Sequence, residues 1–368
     1  MTLKSLYALK SIGIESVNMK TVLTILPALP VGGAENMVYE LIKNYDVRRF
    51  KAIVLCYGEK TNSYLEKQIE NICRVVYVGL KGKLTVASFG RVFREIRKIK
   101  PDILHAHMGG AAFAILWSLF NPVRVVITVH TTPQNAFSPR IERLIRFGIK
   151  KKKIRLVTVS KENYKKAKEY YRVKNNLYEI NNGIDIDGYY KSEHDKFTFI
   201  NVARQDANKN QRAIIECFEK IVKKHPNTKL FLIGDGPLHS ELVELVSTLK
   251  LESYVEMPGM IDRTKEFYAQ ADVYVQASHR EALPLSVLEA MAARLPIIGT
   301  DVGGMNDLIS NNGYLIEDNK ESLLSAMSQM LYNSKIEMEQ MGLNSRKKVL
   351  SYTSSQMADR YMEIYDSL

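Results

Sequence analysis

Residues 277–304 read ASHREALPLSVLEAMAARLPIIGTDVGG, a stretch that sets a polar loop in front of an apolar helix. The short apolar run 273–276 leads into the loop 277–281. Pro284 then falls where a first helical position is expected, because the N–H that proline lacks would have no partner there. Around Leu283, Pro284 and Leu285 the helix start aims free backbone amides at whatever lies in front of the loop, and such a terminus favours an anion, phosphate above all. Glu281 sits in the loop and Glu289 on the helix. With a helix starting at Pro284, Glu289 lies about 7 Å along the axis. That is too far from Glu281 for the roughly 5 Å carboxylate pair of a retaining hydrolase. In a chain this rich in Glu the spacing alone says little.

Working outward, apolar β-branched runs at 22–26, 52–56, 74–78, 102–105, 124–129 and 155–159 alternate with helical patterns. This alternation predicts α/β architecture, a mainly parallel sheet with helices on both faces. A second series starts near Phe197 and continues through Leu315. Between them, residues 187–196 (DGYYKSEHDK) are polar and turn-rich, a hinge. The expected division is therefore 1–186, 187–350 and a C-terminal helix 351–368. That helix carries Met357, Tyr361, Ile364, Tyr365 and Leu368 on one side.

At 368 residues, 46% hydrophobic and 25% charged, the chain has enough material for two ordinary domains. It contains no uninterrupted apolar run of membrane-spanning length. Residues 1–18 hold a short mixed segment with Lys4 and Lys10 and no small-residue cleavage site, which argues against a signal peptide; Met19 is a candidate alternative start. Cys56, Cys73 and Cys217 lack metal-ligand spacing and are expected to be reduced thiols. His105 and His107 lie two apart on a strand without a ligand cluster beside them, so no metal is expected. The D-x-D triplet at Asp185 and Asp187 follows Asn182-Gly183 and is read as a turn. Gly234-Asp235-Gly236 lacks the third glycine of a dinucleotide fingerprint, since position 239 is His239. The net charge of +12 comes without interleaved aromatics or a known module, which argues against nucleic acid. Residues 139–153 (PRIERLIRFGIKKKK) place Arg140, Arg143, Arg146, Lys150 and Lys151 at near-helical spacing, with Ile141, Leu144, Ile145 and Ile149 largely between them. Such a helix suits an anionic membrane surface.

Further motifs recur in a fixed order. Gly32-Gly33-Ala34-Glu35 follows the first apolar run; DILHAH (102–107), VVITVH (125–130), LVTVS (156–160) and Asn182-Gly183-Ile184-Asp185 complete the first half. FTFINVAR (197–204) leads to Lys209, then come KLFLIGDGP (229–237) and VEMPG (255–259). Together with the glutamates this series resembles the GT-B retaining glycosyltransferases of family 4 across nearly the whole chain, with Glu281 and Glu289 as the E-x7-E signature. The resemblance implies two Rossmann-like domains facing a cleft, an N-terminal acceptor side and a C-terminal nucleotide-sugar side. The last helix would cross back to the first domain. It implies that Arg204 and Lys209 clamp the diphosphate without a metal or other cofactor. Gly33, Pro258 and the Leu283, Pro284 and Leu285 segment would complete the donor site. Glu281 would hold the sugar hydroxyls, Glu289 the ribose, and His130 would lie near the transferred sugar. A UDP-sugar donor, a lipid-linked or polymeric acceptor in bacterial cell-surface polysaccharide assembly, and a cytoplasmic or inner-face peripheral location follow as expectations. The sequence departs from the pattern at Ala203 and Ala282, where glycine is usual. Arg294 also replaces a glycine, at about 1 kcal/mol if that site needs positive φ.

Overall fold

The computed structural model describes residues 19–368 apart from 83, 152 and 174, so the start of the chain lies outside it. Parallel β-branched strands β1 (Lys20–Leu26), β2 (Phe50–Cys56), β3 (Arg74–Tyr77), β4 (Ile103–His107), β5 (Arg124–Val129), β6 (Ile154–Thr158) and β7 (Leu177–Glu179) form one sheet, ordered β3-β2-β1-β4-β5-β6-β7. The three-residue β7 was not foreseen, being too short to show a pattern. A second parallel sheet takes β8 (Phe197–Val202), β9 (Thr228–Ile233), β10 (Val255–Gly259), β11 (Val273–Gln276), β12 (Ile297–Thr300) and β13 (Gly313–Ile316) in the order β10-β9-β8-β11-β12-β13. Both sheets reverse direction next to their first strand, at β1/β4 and at β8/β11. In an open α/β sheet the crevice outside the strand ends at that reversal is where ligands bind.

The near-continuous burial of β4, β5 and β11 reflects helices covering both faces. One continuous apolar core runs from Val22 and Met37 through Ile184 to Tyr274, Leu288 and Met291, and takes in Tyr361 and Tyr365 of the last helix. Ser354–Asp366 crosses back to the first sheet, where the Tyr361 hydroxyl meets Thr128 Oγ1 at 2.9 Å and Lys20 Nζ donates to the Tyr365 carbonyl at 2.9 Å. Its entry is stitched to the inter-sheet connection by Ile184 N–H on the Tyr352 carbonyl (3.0 Å) and Ser354 N–H on the Ile184 carbonyl (2.8 Å). A Cβ on Gly183 would lie 2.3 Å from the Thr353 carbonyl oxygen, so glycine is needed for this close approach.

The helix after the 277–281 loop runs Leu285–Ala292 with Pro284 as its extended N-cap (φ −73°, ψ 124°), one position earlier than a first helical residue. Proline fixes φ, which suits either position, and leaves ψ to the tertiary context. Arg294 does adopt positive φ, 59°. The basic helix Pro139–Lys150 does form, yet its apolar stripe is not available to lipid: Ile145 and Ile149 are buried in the domain core, and Ile141 and Leu144 pack against it. Arg146 stacks on the rings of Tyr170 and Tyr171 at 5.2 and 5.5 Å. Arg143, Lys150 and Lys151 are exposed beside Phe147, itself 51% exposed; the Arg140 side chain lies outside the described ones.

Candidate active site

The loops that leave β8 and β11 meet at the second sheet's reversal. Asn208 Nδ2 donates to the Arg280 carbonyl (3.0 Å) and His279 N–H to the Asn208 carbonyl (2.8 Å), so the two loops are held as one unit. Asp206 accepts from the Asn208 and Lys209 amides at 3.0 and 3.3 Å and shapes the first of them. The result brings Lys209 Nζ to 2.6 Å from Glu281 Oε1, which also accepts from Gln276 Nε2 at 2.6 Å. Only 7% of the Glu281 side chain is exposed, so these partners supply the hydrogen bonds that water does not. Behind them, the Tyr274 hydroxyl donates to Gln276 Oε1 (2.6 Å) and lies 2.8 Å from Ser286 Oγ, fixing the amide's orientation. Gln276 and Tyr274 escaped the sequence reading; the available signal was a glutamine closing an otherwise apolar strand.

Above this cluster the helix Leu285–Ala292 begins without a side-chain cap, as an anion site requires. The loop's course is set from both sides. Gly303, at φ 59°, lies where a Cβ would come within 1.8 Å of the Glu281 carbonyl oxygen. Asn182 Nδ2 holds the Leu283 carbonyl at 3.0 Å from the inter-sheet connection. Glu289 is one turn into the helix and accepts from the Tyr268 hydroxyl at 3.0 Å. Burial pushes its carboxyl up to about 7, against that hydrogen bond, with Glu40 of the first unit adding and Lys265 opposing. Tyr64, also of the first unit, feels the Glu289 charge after burial, which places Glu289 at the junction of the two halves.

Arg204, by contrast, is exposed and 3.7 Å from Asp206, apart from the Lys209 pair. Pro258 is exposed on the edge strand β10, with β9 and β8 between it and β11. On the first unit, Gly33 opens the helix Gly33–Lys43, and a Cβ there would meet nothing within 4 Å. Glu35 in that helix's first turn accepts its own residue's amide, and burial raises its carboxyl. His130 stands at the end of β5, its Nε2 2.8 Å from His107 Nδ1. Burial lowers the His130 imidazole to about 4, leaving it neutral near pH 7. Asp185 serves the turn: its carboxylate accepts from Asp187 N–H (3.1 Å) and pairs with Lys43 Nζ (2.8 Å). Among the described residues no group of three or more His, Cys, Asp or Glu is placed to hold a metal ion.

Two doubly wound parallel sheets, with a polar cluster where the second one reverses, define the GT-B class of glycosyltransferase fold. Residues 31–187 match the family model described as Glycosyltransferase Family 4, and residues 186–348 match that described as Glycosyl transferases group 1. The two models together take in most of the chain, which belongs to this glycosyltransferase family. N-acetyl-alpha-D-glucosaminyl L-malate synthase of Bacillus anthracis is 28% identical over 285 residues, 72% of this chain and 74% of that relative. An uncharacterized glycosyltransferase of Methanocaldococcus jannaschii is 27% identical over 236 residues, 57% of this chain and only 58% of that relative. The fold matches that of Anabaena HepE, solved with UDP and glucose, at TM-score 0.81 and 18% identity over 95% of this chain and 100% of that one.

Proposed function

We propose that this glycosyltransferase moves a sugar from a nucleoside diphosphate sugar, a UDP-sugar in the first instance, to a lipid-linked or polymeric acceptor, with retention of anomeric configuration and without a metal. The observation that carries this reading is the Lys209–Glu281–Gln276 cluster beneath an uncapped helix N-terminus. As the glycosidic bond breaks, negative charge grows on the departing diphosphate, and fixed donors aimed there stabilise the transition state. Lys209 has three N–H donors and gives one to Glu281, so others remain for a phosphate oxygen. The Arg204 guanidinium, exposed and free to swing from Asp206, adds a planar fork on donor binding. Glu281 takes the sugar hydroxyls and Glu289 the ribose hydroxyls. A donor phosphate oxygen helps deprotonate the acceptor, which attacks from the leaving-group face.

The Bacillus anthracis relative's name, with its N-acetylglucosaminyl group, supports an N-acetylhexosamine among the donors to try, and the HepE complex with UDP supports uridine. In this reading the acceptor belongs to bacterial cell-surface glycan assembly. Docking on an anionic bilayer is electrostatic in this reading: Arg143, Lys150 and Lys151 face solvent, each worth about 1 kcal/mol near such a surface. A panel of UDP- and GDP-sugars, assayed in excess EDTA for nucleoside diphosphate release, tests the donor, and NMR of the product's anomeric proton tests retention. Nucleotide binding with no hydrolysis or transfer from any donor would make the chain a non-catalytic partner subunit.

A further inference from the structure

His107, the last residue of β4, is fully buried and bonded to His130 through Nδ1, while its Nε2 is buried with no partner among the described residues. Two neutral imidazoles share one hydrogen across that 2.8 Å contact, and the orphan nitrogen decides which ring supplies it. If His130 donated from Nε2, His107 would carry its own hydrogen on Nε2, a buried N–H with no acceptor. Such orphan donors are rarer in proteins than under-satisfied acceptors. If His107 donates from Nδ1, only a lone pair is left bare. We propose that His107 is a positioning residue: it donates from Nδ1 to His130 Nε2 and so fixes His130 with its remaining hydrogen on Nδ1. His130 then meets a ligand as a hydrogen-bond donor of fixed orientation and not as a base.

The rest of the array explains why His107 cannot turn to another arrangement. Its ring lies against that of His105, with centroids 4.2 Å apart. His105 is in turn pinned at both nitrogens, Nδ1 to the Tyr365 hydroxyl (2.7 Å) and Nε2 to Thr128 Oγ1 (2.8 Å). Tyr365 also meets the Tyr45 hydroxyl at 2.9 Å, and Tyr361 meets Thr128. The C-terminal helix thus fixes the orientation of His105, the ring against which His107 lies. That gives the crossing helix a task beyond packing.

The functional part of this inference rests on the glycosyl-transfer reading, in which His130 lies beside the transferred sugar; the tautomer does not. Long-range proton–nitrogen NMR of the full chain labelled with 15N-histidine, near pH 7.5, reads the tautomers directly. The expected spectrum has both His130 and His107 protonated on Nδ1 and bare on Nε2, with assignments from His107→Asn and His130→Asn. A hydrogen on His130 Nε2, or a doubly protonated ring, overturns the proposal. Turnover gives the second arm, read as UDP release from UDP-glucose and UDP-N-acetylglucosamine. His107→Phe, which keeps the ring and loses the donor, should lower kcat about tenfold or more with little change in KM. His107→Asn, whose amide nitrogen can stand near the lost Nδ1, should recover most of that loss. Equal kcat in the wild type and His107→Phe, or a change confined to KM, refutes the positioning role. If neither donor turns over, the UDP-sugar assignment is what fails, and the NMR spectrum still decides the tautomer.

Discussion

Replacing Glu289 by glutamine should make the protein more stable at alkaline pH while weakening its hold on a nucleotide donor. Burial raises this carboxyl from 4.5 to about 7. In the unfolded chain it ionises with an ordinary carboxylate pKa, so between those two values the native state binds the proton that the unfolded state has lost. Native stability then falls as pH rises through that window and levels off above it. At about 1.4 kcal/mol per unit, the full window is worth up to about 3 kcal/mol. Glutamine fills the same volume and removes the charge, so the variant escapes this loss. Thermal unfolding of both proteins at pH 5 and pH 8 isolates the effect, because every other titrating group is common to the two. The stability difference should move in favour of Glu289→Gln by about 2–3 kcal/mol between those pH values, a shift of a few degrees in midpoint. In the proposed site, losing one charge-assisted bond to a ribose hydroxyl weakens donor binding by about 1.5–3 kcal/mol, or about tenfold to a hundredfold. Stability differences that stay constant from pH 5 to pH 8 would refute the buried, proton-binding Glu289, whatever happens to the donor.

Four further outcomes are expected. Lys209→Ala and Arg204→Ala should each cut turnover by about a hundredfold or more with the fold intact; a loss under tenfold removes that residue from the clamp. Acid should weaken the fold from about pH 6.5 downward, since burial lowers His105 to about 3, His130 to about 4 and His107 well below its usual range, while the unfolded rings protonate near 6.5. Each contributes up to about 2 kcal/mol of loss by pH 5, outweighing the opposite trend of Glu289, and calorimetry showing no loss of stability over that range would contradict the buried array. Small-angle scattering should show compaction on adding UDP, because Lys209 and Glu281 stand on one half and Gly33 and His130 on the other; identical curves would mean a preformed cleft. Liposome binding should rise with anionic lipid, fall with salt and weaken when Arg143, Lys150 and Lys151 are changed together to Gln, and equal binding to neutral vesicles would exclude docking through this face.

The alternation of β-branched runs with helical patterns determined the architecture by itself, because a strand buried on both faces and a helix with one apolar stripe leave few ways to hide that surface. The loop before Leu285 and the glutamates on either side of it were legible for the same local reason: turn residues, proline and helix spacing act over a few positions. The three-residue β7 left no such trace. What the tertiary structure decided involves partners far apart in the chain. Nothing local to Tyr274 or Gln276 says that they hold Glu281, and the pairing of Lys209 with Glu281 depends on two loops meeting where the sheet reverses. The basic helix shows the limit from the other side. Its amphipathic pattern is equally suited to a bilayer and to a protein core, and only the surrounding strands and helices settled that Ile145 and Ile149 face inward. His107 is the clearest case. As a sequence neighbour of His105 it showed only a histidine pair without a ligand cluster; its distance to His130 and its bare Nε2 are products of strand register and of the packing around the end of β4.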